Sequence, residues 1–194
     1  MAKGPANFAN MRARLQRLKD AKFFTGWISD FDGHEVRVRL GVAGECEPGD
    51  LFMFEIYGTE LDAIFQARVT MAFDNQSYMS VVGGVSYRPA TENARICVSG
   101  MFGVVGTPDG DIEVRVTDIS VNGLGLVIRK PLKQKMLVKL RLTTAVGEVT
   151  GEGEVRYCRL DPAGTGSYRA GLRLSELGRL EKARWLRLFD RDAA

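Results

Sequence analysis

Short stretches in which apolar and polar residues alternate recur along most of the chain, separated by turn-forming residues. Alternation at every second position is typical of strands with one buried face, and Asp, Asn, Gly and Pro favour turns. No helical run separates the strands of the first half, which favours a small antiparallel barrel over a parallel sheet. The alternation resumes after residue 95 and predicts a second barrel. We expect strands at 24–29, 35–40, 51–57, 64–73 and 78–82 in the first barrel, and at 96–105, 111–117, 125–128, 136–142, 149–159 and 168–174 in the second.

Helical spacing occurs near both ends of the chain. The C-terminal stretch from Ser175 predicts a helix whose apolar face closes one barrel mouth. The N-terminal stretch predicts a short amphipathic helix that could bind a membrane surface or a partner, although its thin apolar stripe favours packing on its own domain. The apolar residues of that stripe, three or four positions apart among basic residues, are Phe8, Met11, Leu15 and Leu18.

The fold class is therefore mainly β, with two tandem small antiparallel barrels and a helix at each end. Residues 86–95 interrupt the alternation with Arg, Pro, Thr, Glu and Asn, as linkers between domains do. The expected organisation is an N-terminal amphipathic helix at 1–22, an N-terminal β-barrel domain at 23–85, an arginine-bearing linker at 86–95, and a second β-barrel with a C-terminal helix at 96–194.

The two halves are also weakly similar in sequence. GHEVRVRL at 33–40 is similar to DIEVRVTD at 111–118. An internal duplication would explain this similarity. In that alignment Leu40 corresponds to Asp118, so the first barrel would lack the polar residues that follow in the second half.

Composition narrows the class of protein. The 194 residues are 45% hydrophobic and include neither a long apolar run nor the apolar core of a signal peptide, which predicts a cytoplasmic protein without a transmembrane segment. The three cysteines and the single histidine do not have metal-ligand spacing, and no nucleophile with a base can be assembled, so we expect neither a metal site nor an enzyme. A net charge of +3 is too small for a dedicated nucleic-acid binder but fits a small anionic ligand.

One hexapeptide, DISVNG at 118–123, lies between two stretches of alternating apolar residues. Asp118 can accept hydrogen bonds, Ser120 can donate and accept, and Gly123 can adopt positive φ and allow a ligand to approach the backbone. The same residue types are common in tight turns for purely local reasons. The hexapeptide is therefore either a turn or a site for a polar planar ligand. Arg156 and Arg159, on a later strand, are interpreted as solvated surface.

The hexapeptide resembles the signature of PilZ domains, bacterial receptors for cyclic di-GMP, which reads Asp/Asn-x-Ser-x-x-Gly on a barrel strand. Asp118, Ser120 and Gly123 match each defined position. The family also has an upstream Arg-x-x-x-Arg segment. Arg95 precedes a strand as the second of these arginines does, while Arg88 lies seven positions before it rather than four. The resemblance covers about residues 88–188, and the first barrel is similar to the N-terminal domain of flagellar-brake relatives.

This resemblance implies a split-barrel, PilZ-like fold and cyclic di-GMP as the ligand, with no cofactor or metal. A guanidinium group can bind phosphate or the acceptor atoms of guanine in a bidentate manner. The implied ligand contacts are phosphate and guanine for Arg88 and Arg95, and guanine for Asp118 and Ser120 beside a bend shaped by Gly123.

The implied function is that of an effector that relays the level of cyclic di-GMP by reorienting its two domains. Its partner would be a protein target such as the flagellar motor, pilus or polysaccharide-synthesis machinery. The altered arginine spacing leaves an alternative open, namely a degenerate PilZ protein that binds no nucleotide and acts as a protein-interaction module.

Overall fold

The computed structural model describes residues 7–41, 44–91, 94–161 and 166–189. The chain divides into two compact units, Met1–Cys97 and Val98–Ala194. The described residues form thirteen strands and one helix, and nearly all of the structure is antiparallel sheet. The mainly β class and the two tandem barrels are therefore confirmed.

The first unit is a closed barrel of six antiparallel strands in the ring order β1-β2-β3-β6-β5-β4. Its core is apolar and rich in aromatic rings, with Phe54 and Phe65 stacked at 5.0 Å between ring centroids. A two-residue strand, β7, ends the unit. The strands are β1 Arg12–Arg17, β2 Phe23–Phe31, β3 Glu35–Leu40, β4 Leu51–Ile56, β5 Leu61–Phe73, β6 Gln76–Pro89 and β7 Ile96–Cys97.

The predicted N-terminal helix is wrong, because its central part is strand β1. Met11, Ala13 and Leu15 are all fully buried, which is a period of two rather than 3.6. Strand β1 pairs with β2 on one side and with β4 on the other, so this segment closes the ring. The helical interpretation counted Met11 and Leu15 but overlooked the small Ala13 between them. Part of the predicted helix, residues 1–6, lies outside the described residues.

The predicted linker is wrong at its start, since Ser86–Pro89 belong to β6 and pair with β5. These residues are mostly exposed, so their polar composition indicated a loop although their backbone is in a strand. Pro89 is compatible with the sheet because it is the last residue of the strand. Residues 92 and 93 of the predicted linker lie outside the described residues.

The second unit is also a closed six-stranded barrel, with the ring order β8-β9-β10-β13-β12-β11. Numbered from its own first strand, this order equals that of the first barrel. The unit ends in one helix, α1, at Arg179–Arg187. Its strands are β8 Phe102–Thr107, β9 Gly110–Ser120, β10 Gly123–Ile128, β11 Leu137–Thr144, β12 Gly147–Leu160 and β13 Tyr168–Leu177.

The C-terminal helix begins later than the sequence indicated. Ser175 lies in β13, whose last residues pair with Gly151 and Glu152 of β12, and the helix N-cap is Gly178. The apolar anchor of the helix is Trp185, which is 1% exposed, whereas Leu180 is 57% exposed.

The two barrels also have β-bulges at equivalent places, and these bulges define a register between the units. In the first unit the pairing of β2 with β3 shifts beside Asp30, and in the second the pairing of β9 with β10 shifts beside Asp118. Eight residues run from Asp30 to its partner Arg37, and eight run from Asp118 to its partner Gly125. The counterpart of Asp118 is thus Asp30, and the alignment with Leu40 was wrong because it matched β3 with β9.

No helix among the described residues has the length and apolar content required to cross a membrane. Within the same residues, no group of three or more His, Cys, Asp or Glu side chains could hold a metal ion.

Candidate functional site

The hexapeptide forms the tip of the β9–β10 hairpin. Asp118 and Ser120 end β9, Gly123 begins β10, and two turn residues lie between the strands. Ser120 is 9% exposed, and its hydroxyl donates to the carbonyl oxygen of Gly123 at 3.2 Å. The backbone of the hexapeptide is thus a tight turn, as one of the two interpretations predicted.

Gly123 does not have the positive φ that the sequence suggested. Its lack of a side chain serves close packing instead, because a Cβ atom there would lie 2.4 Å from the carbonyl oxygen of Leu172 on β13. A glycine at this position lets the hairpin approach the neighbouring strand.

Asp118 is half-buried, and its carboxylate lies against the sheet. The hydroxyl of Thr117 donates to Oδ2 of Asp118 at 2.9 Å. Directly opposite on β10 is Gly125, where a Cβ atom would be 2.2 Å from the same oxygen. Gly125 therefore provides the space in which the carboxylate lies.

Tyr157 has an equivalent arrangement two strands away. It is paired with Gly171 of β13, and its ring covers that glycine so closely that a Cβ atom would be 2.2 Å from Cε1. Gly171 is itself paired with Gly125. One row of the outer face thus reads Asp118, Gly125, Gly171, Tyr157, with a carboxylate and an aromatic ring lying on two adjacent glycines.

Helix α1 contacts the turn of the β9–β10 hairpin through Trp185. The indole Nε1 of the buried Trp185 donates to the carbonyl oxygens of both Ser120 and Val121 at 3.1 Å. The backbone of the turn is therefore connected to the last helix by one indole N–H shared between two carbonyl oxygens.

The two arginines expected at the site belong to the first unit. Arg88 lies on β6, forms an ion pair with Glu55, and has its Nε 3.8 Å from Oδ2 of the fully buried Asp62. Arg95 lies just before β7, half-buried, and its carbonyl oxygen accepts from the backbone amide of Arg12 at 3.0 Å. Arg88 is thus already compensated by carboxylates of its own barrel.

The equivalent row of the first barrel contains larger side chains. Asp30, Arg37, Tyr78 and Met71 take the places of Asp118, Gly125, Gly171 and Tyr157. These four residues line a cavity of about 240 Å³ together with Asp32 and other residues of β3, β5 and β6. Asp32 and Glu35 replace Ser120 and Gly123.

Hydrogen bonds also distinguish that first hairpin. The backbone amides of Glu35 and His34 donate to Oδ1 of Asp32 at 2.7 and 2.8 Å, which lowers the pKa of this carboxyl group. The first barrel thus stabilises its turn with a charged cap where the second uses a hydroxyl group.

Sequence reasoning missed Tyr157 and Gly125 as site residues. The β-bulge near Val155 inserts Arg156 into β12 and reverses which later residues face outward, so strict alternation misassigns Tyr157. Gly125 could have been found from the motif, because it lies two residues after Gly123 on the same face of a strand.

Polar side chains are thus gathered at one hairpin of a six-stranded antiparallel barrel. Residues 101–190 match the model of the PilZ domain. The second unit of this chain is therefore a PilZ domain, preceded by an N-terminal barrel. The family resemblance inferred from the motif is confirmed.

Solved structures give similar folds at low identity. The motility inhibitor MotI/DgrA of Bacillus subtilis is 13% identical with a TM-score of 0.47, covering 95% of this chain and 96% of that one. MrkH of K. pneumonia, described as a c-di-GMP-dependent transcription regulatory factor, is 17% identical with a TM-score of 0.50, covering 92% and 83%. Escherichia coli YcgR, solved with c-di-GMP, is 11% identical with a TM-score of 0.44, covering 95% and 85%. The comparison with curated proteins finds no match.

Proposed function

We propose that this protein is a cyclic di-GMP-binding effector of the PilZ type. The observation that carries the proposal is the β9–β10 hairpin, in which Asp118, Ser120 and Gly123 have the spacing of the family signature within a domain that matches the family model. The proposal describes a receptor, and it includes no catalytic step.

The side chains around the hairpin suit a flat, polar base. The carboxylate of Asp118 is an acceptor for the N–H groups of guanine. A base can stack on the ring of Tyr157 by displacing the guanidinium of Arg159, which lies 5.5 Å from the ring centroid. The paired glycines let the carboxylate and the ring lie flat against the sheet, so that both groups can meet one planar ligand on the outer face. Ser120 holds the turn and presents its hydroxyl group at the base of the site.

Arg95 and Arg88 remain proposed contacts to the phosphates and guanines of the ligand. Arg88 can contribute only by exchanging Glu55 and Asp62 for the ligand, which lowers its net contribution. Arg95→Ala and Arg88→Ala should each weaken binding, measured by calorimetry with the thermal unfolding of each variant as a control.

The finer part of the proposal is that bound ligand changes the relative placement of the two units and so alters recognition of a protein target, such as motility, pilus or polysaccharide-synthesis machinery. A ligand shifts such an equilibrium only if it binds one arrangement better than the other. Hydrogen exchange of residues 87–96, measured with and without saturating cyclic di-GMP, tests this step. Protection of this segment is expected, with the strands of both barrels as internal controls, and unchanged exchange would contradict the relay.

One observation favours an alternative function. Unless the ion pairs of Arg88 break, this arginine cannot bind a ligand, and the altered arginine segment lacks its first member. Such a loss is expected of a degenerate PilZ domain that acts as a protein-interaction module. Calorimetric titration of the whole chain with cyclic di-GMP separates the two functions. Heat and a defined stoichiometry support the receptor, whereas the absence of binding in a folded sample favours the interaction module.

A further inference from the structure

Three arginines form a row across the outer face of the second barrel, beside the candidate site. Strand pairing places Arg115 of β9 opposite Val127 of β10, Val127 opposite Arg169 of β13, and Arg169 opposite Arg159 of β12. All three arginines are exposed, and Val127 between them is half-buried. We refer to Arg115, Arg159 and Arg169 as the arginine row.

The arginine row is unfavourable for the empty barrel. Like charges directly opposite on neighbouring strands repel each other, as Arg159 and Arg169 do. Asp161 compensates Arg169, with Oδ1 3.0 Å from Nε, and Arg159 lies over the ring of Tyr157 at 5.5 Å from its centroid. A barrel that needed only a solvated surface would gain by replacing one of these arginines with a neutral residue.

The row borders a depression of about 730 Å³ in the same barrel. Among the described residues, one acidic side chain, that of Glu113, lines this depression, and Arg129 lines it as well and offsets that charge. With Asp161 and Glu113 counted against four arginines, the surface keeps a net positive charge. The lining of this depression includes Phe102, Glu113, Arg115, Val127 and Arg129.

The distance from the arginine row to the candidate site matches the size of a nucleotide. On β10 and β13 the two rows are two residues apart, from Gly125 to Val127 and from Gly171 to Arg169. At about 3.4 Å per residue this separation is about 7 Å. A phosphate lies one ribose away from its base, so a base held at Asp118 and Tyr157 can place a phosphate over the row.

We propose that the arginine row binds a phosphate group of the cyclic dinucleotide, an inference that rests on the proposed function. Arginine forms bidentate, charge-assisted hydrogen bonds with phosphate, and Arg115 and Arg169 can reach inward over Val127 from both sides. The row thereby supplies on the barrel itself the cationic contact that Arg88, held by Glu55 and Asp62, does not offer in this structure.

The first barrel provides a natural comparison for the row. The equivalent positions there hold Trp27 for Arg115, Arg39 for Val127, Gln76 for Arg169 and Phe73 for Arg159. The three arginines are thus not a general feature of this barrel type in the chain, because they occur only in the unit that carries the hairpin motif.

The test is calorimetric titration of the whole chain with cyclic di-GMP for Arg115→Ala, Arg169→Ala and the double variant. Loss of a hydrogen bond to a charged group should weaken binding about tenfold to a hundredfold for each single variant. Arg115→Lys should recover part of the affinity, since it keeps the charge but not the bidentate geometry. The matched control is Arg156→Ala, which removes an exposed arginine that pairs with Glu154 on β12.

The salt dependence of binding supplies a second readout. Salt screens the attraction between the arginines and an anionic ligand, so the loss of a phosphate contact should reduce the slope of log affinity against log salt, which a merely structural effect would not change. If Asp118→Ala weakens binding while the arginine variants and their salt slopes equal the wild type, the phosphate role is overturned and the receptor function stands. If the wild-type chain binds no cyclic di-GMP, both fail together.

Discussion

The first barrel has Arg37 and Tyr78 on the two central strands of the row in which the second barrel has Gly125 and Gly171. Strand order, the bulge beside Asp30 or Asp118 and the number of residues from that aspartate to its partner are the same in both units, so the two rows differ in their side chains. In the first barrel the guanidinium of Arg37 lies 5.8 Å from the centroid of the Tyr78 ring and fills the outer face. In the second barrel the glycines leave that space to Asp118 and Tyr157.

This comparison shows that one barrel framework can carry two different outer faces. The residues that face inward on the strands of both barrels are mostly apolar and buried, and they preserve the fold. The outward residues are free to change, because they contribute little to the core. The proposed ligand site therefore depends on a few outward positions, and the glycines among them matter as much as the polar groups.

The largest expected effect comes from giving the second barrel the residue of the first, as in Gly125→Arg. Any side chain at 125 would collide with the Asp118 carboxylate, 2.2 Å from the position of its Cβ atom. We expect cyclic di-GMP affinity to fall by more than about a hundredfold, equivalent to about 2.7 kcal/mol. Gly125→Ala should have the same direction of effect, measured by calorimetry.

The matched control for this exchange is Gly84→Ala in the first barrel. Gly84 lies on β6 without positive φ, and a Cβ atom there would meet nothing within 4 Å. Its affinity should equal that of the wild type. Undiminished affinity of Gly125→Arg in a folded sample would show that the Asp118 carboxylate does not need its place on the sheet.

The next effect concerns the polar residues of the two hairpins. Asp118→Ala and Ser120→Ala should each weaken binding by about 1–3 kcal/mol, the range for losing a hydrogen bond to a charged or buried partner. The equivalent changes in the first barrel, Asp30→Ala and Asp32→Ala, should leave binding unchanged. If Asp118→Ala and Ser120→Ala lower the thermal stability but not the affinity, the hexapeptide is only a turn.

The strand pattern of both barrels could largely be predicted from the sequence, but the register that aligns one barrel with the other could not. Alternation located most strands of both barrels, and the spacing of Asp118, Ser120 and Gly123 led to the family that residues 101–190 match. The β-bulges were invisible in the pattern, so Asp30 was not recognised as the counterpart of Asp118. A bulge adds one residue without changing composition, and only the pairing of strands reveals it.

Two further features required the three-dimensional arrangement. Strand β1 was mistaken for a helix because Met11 and Leu15 fit both periods, and one of its two neighbours in the ring, β4, is distant in sequence. The ion pairs of Arg88 join residues 26 and 33 positions apart. Contacts of this kind depend on the pairing of strands rather than on the local pattern.

A smaller effect is expected for Trp185→Phe, which tests a contact particular to the second hairpin. Phenylalanine keeps most of the buried area but removes the N–H that serves the carbonyls of Ser120 and Val121. Leaving these acceptors unpaired should lower the free energy of unfolding by about 1–2 kcal/mol. Denaturant unfolding measures this, with Trp27→Phe in the first barrel as the control.

The same pair of tryptophans can report on ligand binding. The chain has two tryptophans, so Trp27→Phe leaves Trp185 as the only source of indole fluorescence. Because the indole is bonded to the turn of the motif, its emission should change when cyclic di-GMP binds. An unchanged spectrum at saturating ligand would argue that the turn backbone does not respond to the ligand.

The smallest expected effect is a pH dependence that belongs to the first barrel. Asp50 directly precedes strand β4 and is buried, with Oδ1 2.7 Å from Nζ of Lys19 and Oδ2 3.5 Å from Nη1 of Arg17. Although burial opposes the charged form, these cations and a backbone hydrogen bond hold the pKa of Asp50 below its usual 3.8. A depressed pKa means that the folded state loses stability as pH falls below about 4, because the unfolded chain takes up the proton first. The loss should be about 1 kcal/mol or less, since Lys19 is half exposed.

Hydrogen exchange of β1 and β4 between pH 5 and pH 3 should show this loss of stability, after correction for the intrinsic exchange rate. Asp50→Asn should flatten this pH dependence in the first barrel and leave the exchange of β9 and β10 unchanged. An equal response in both barrels would mean that the ion pairs of Asp50 with Arg17 and Lys19 do not set the pH dependence.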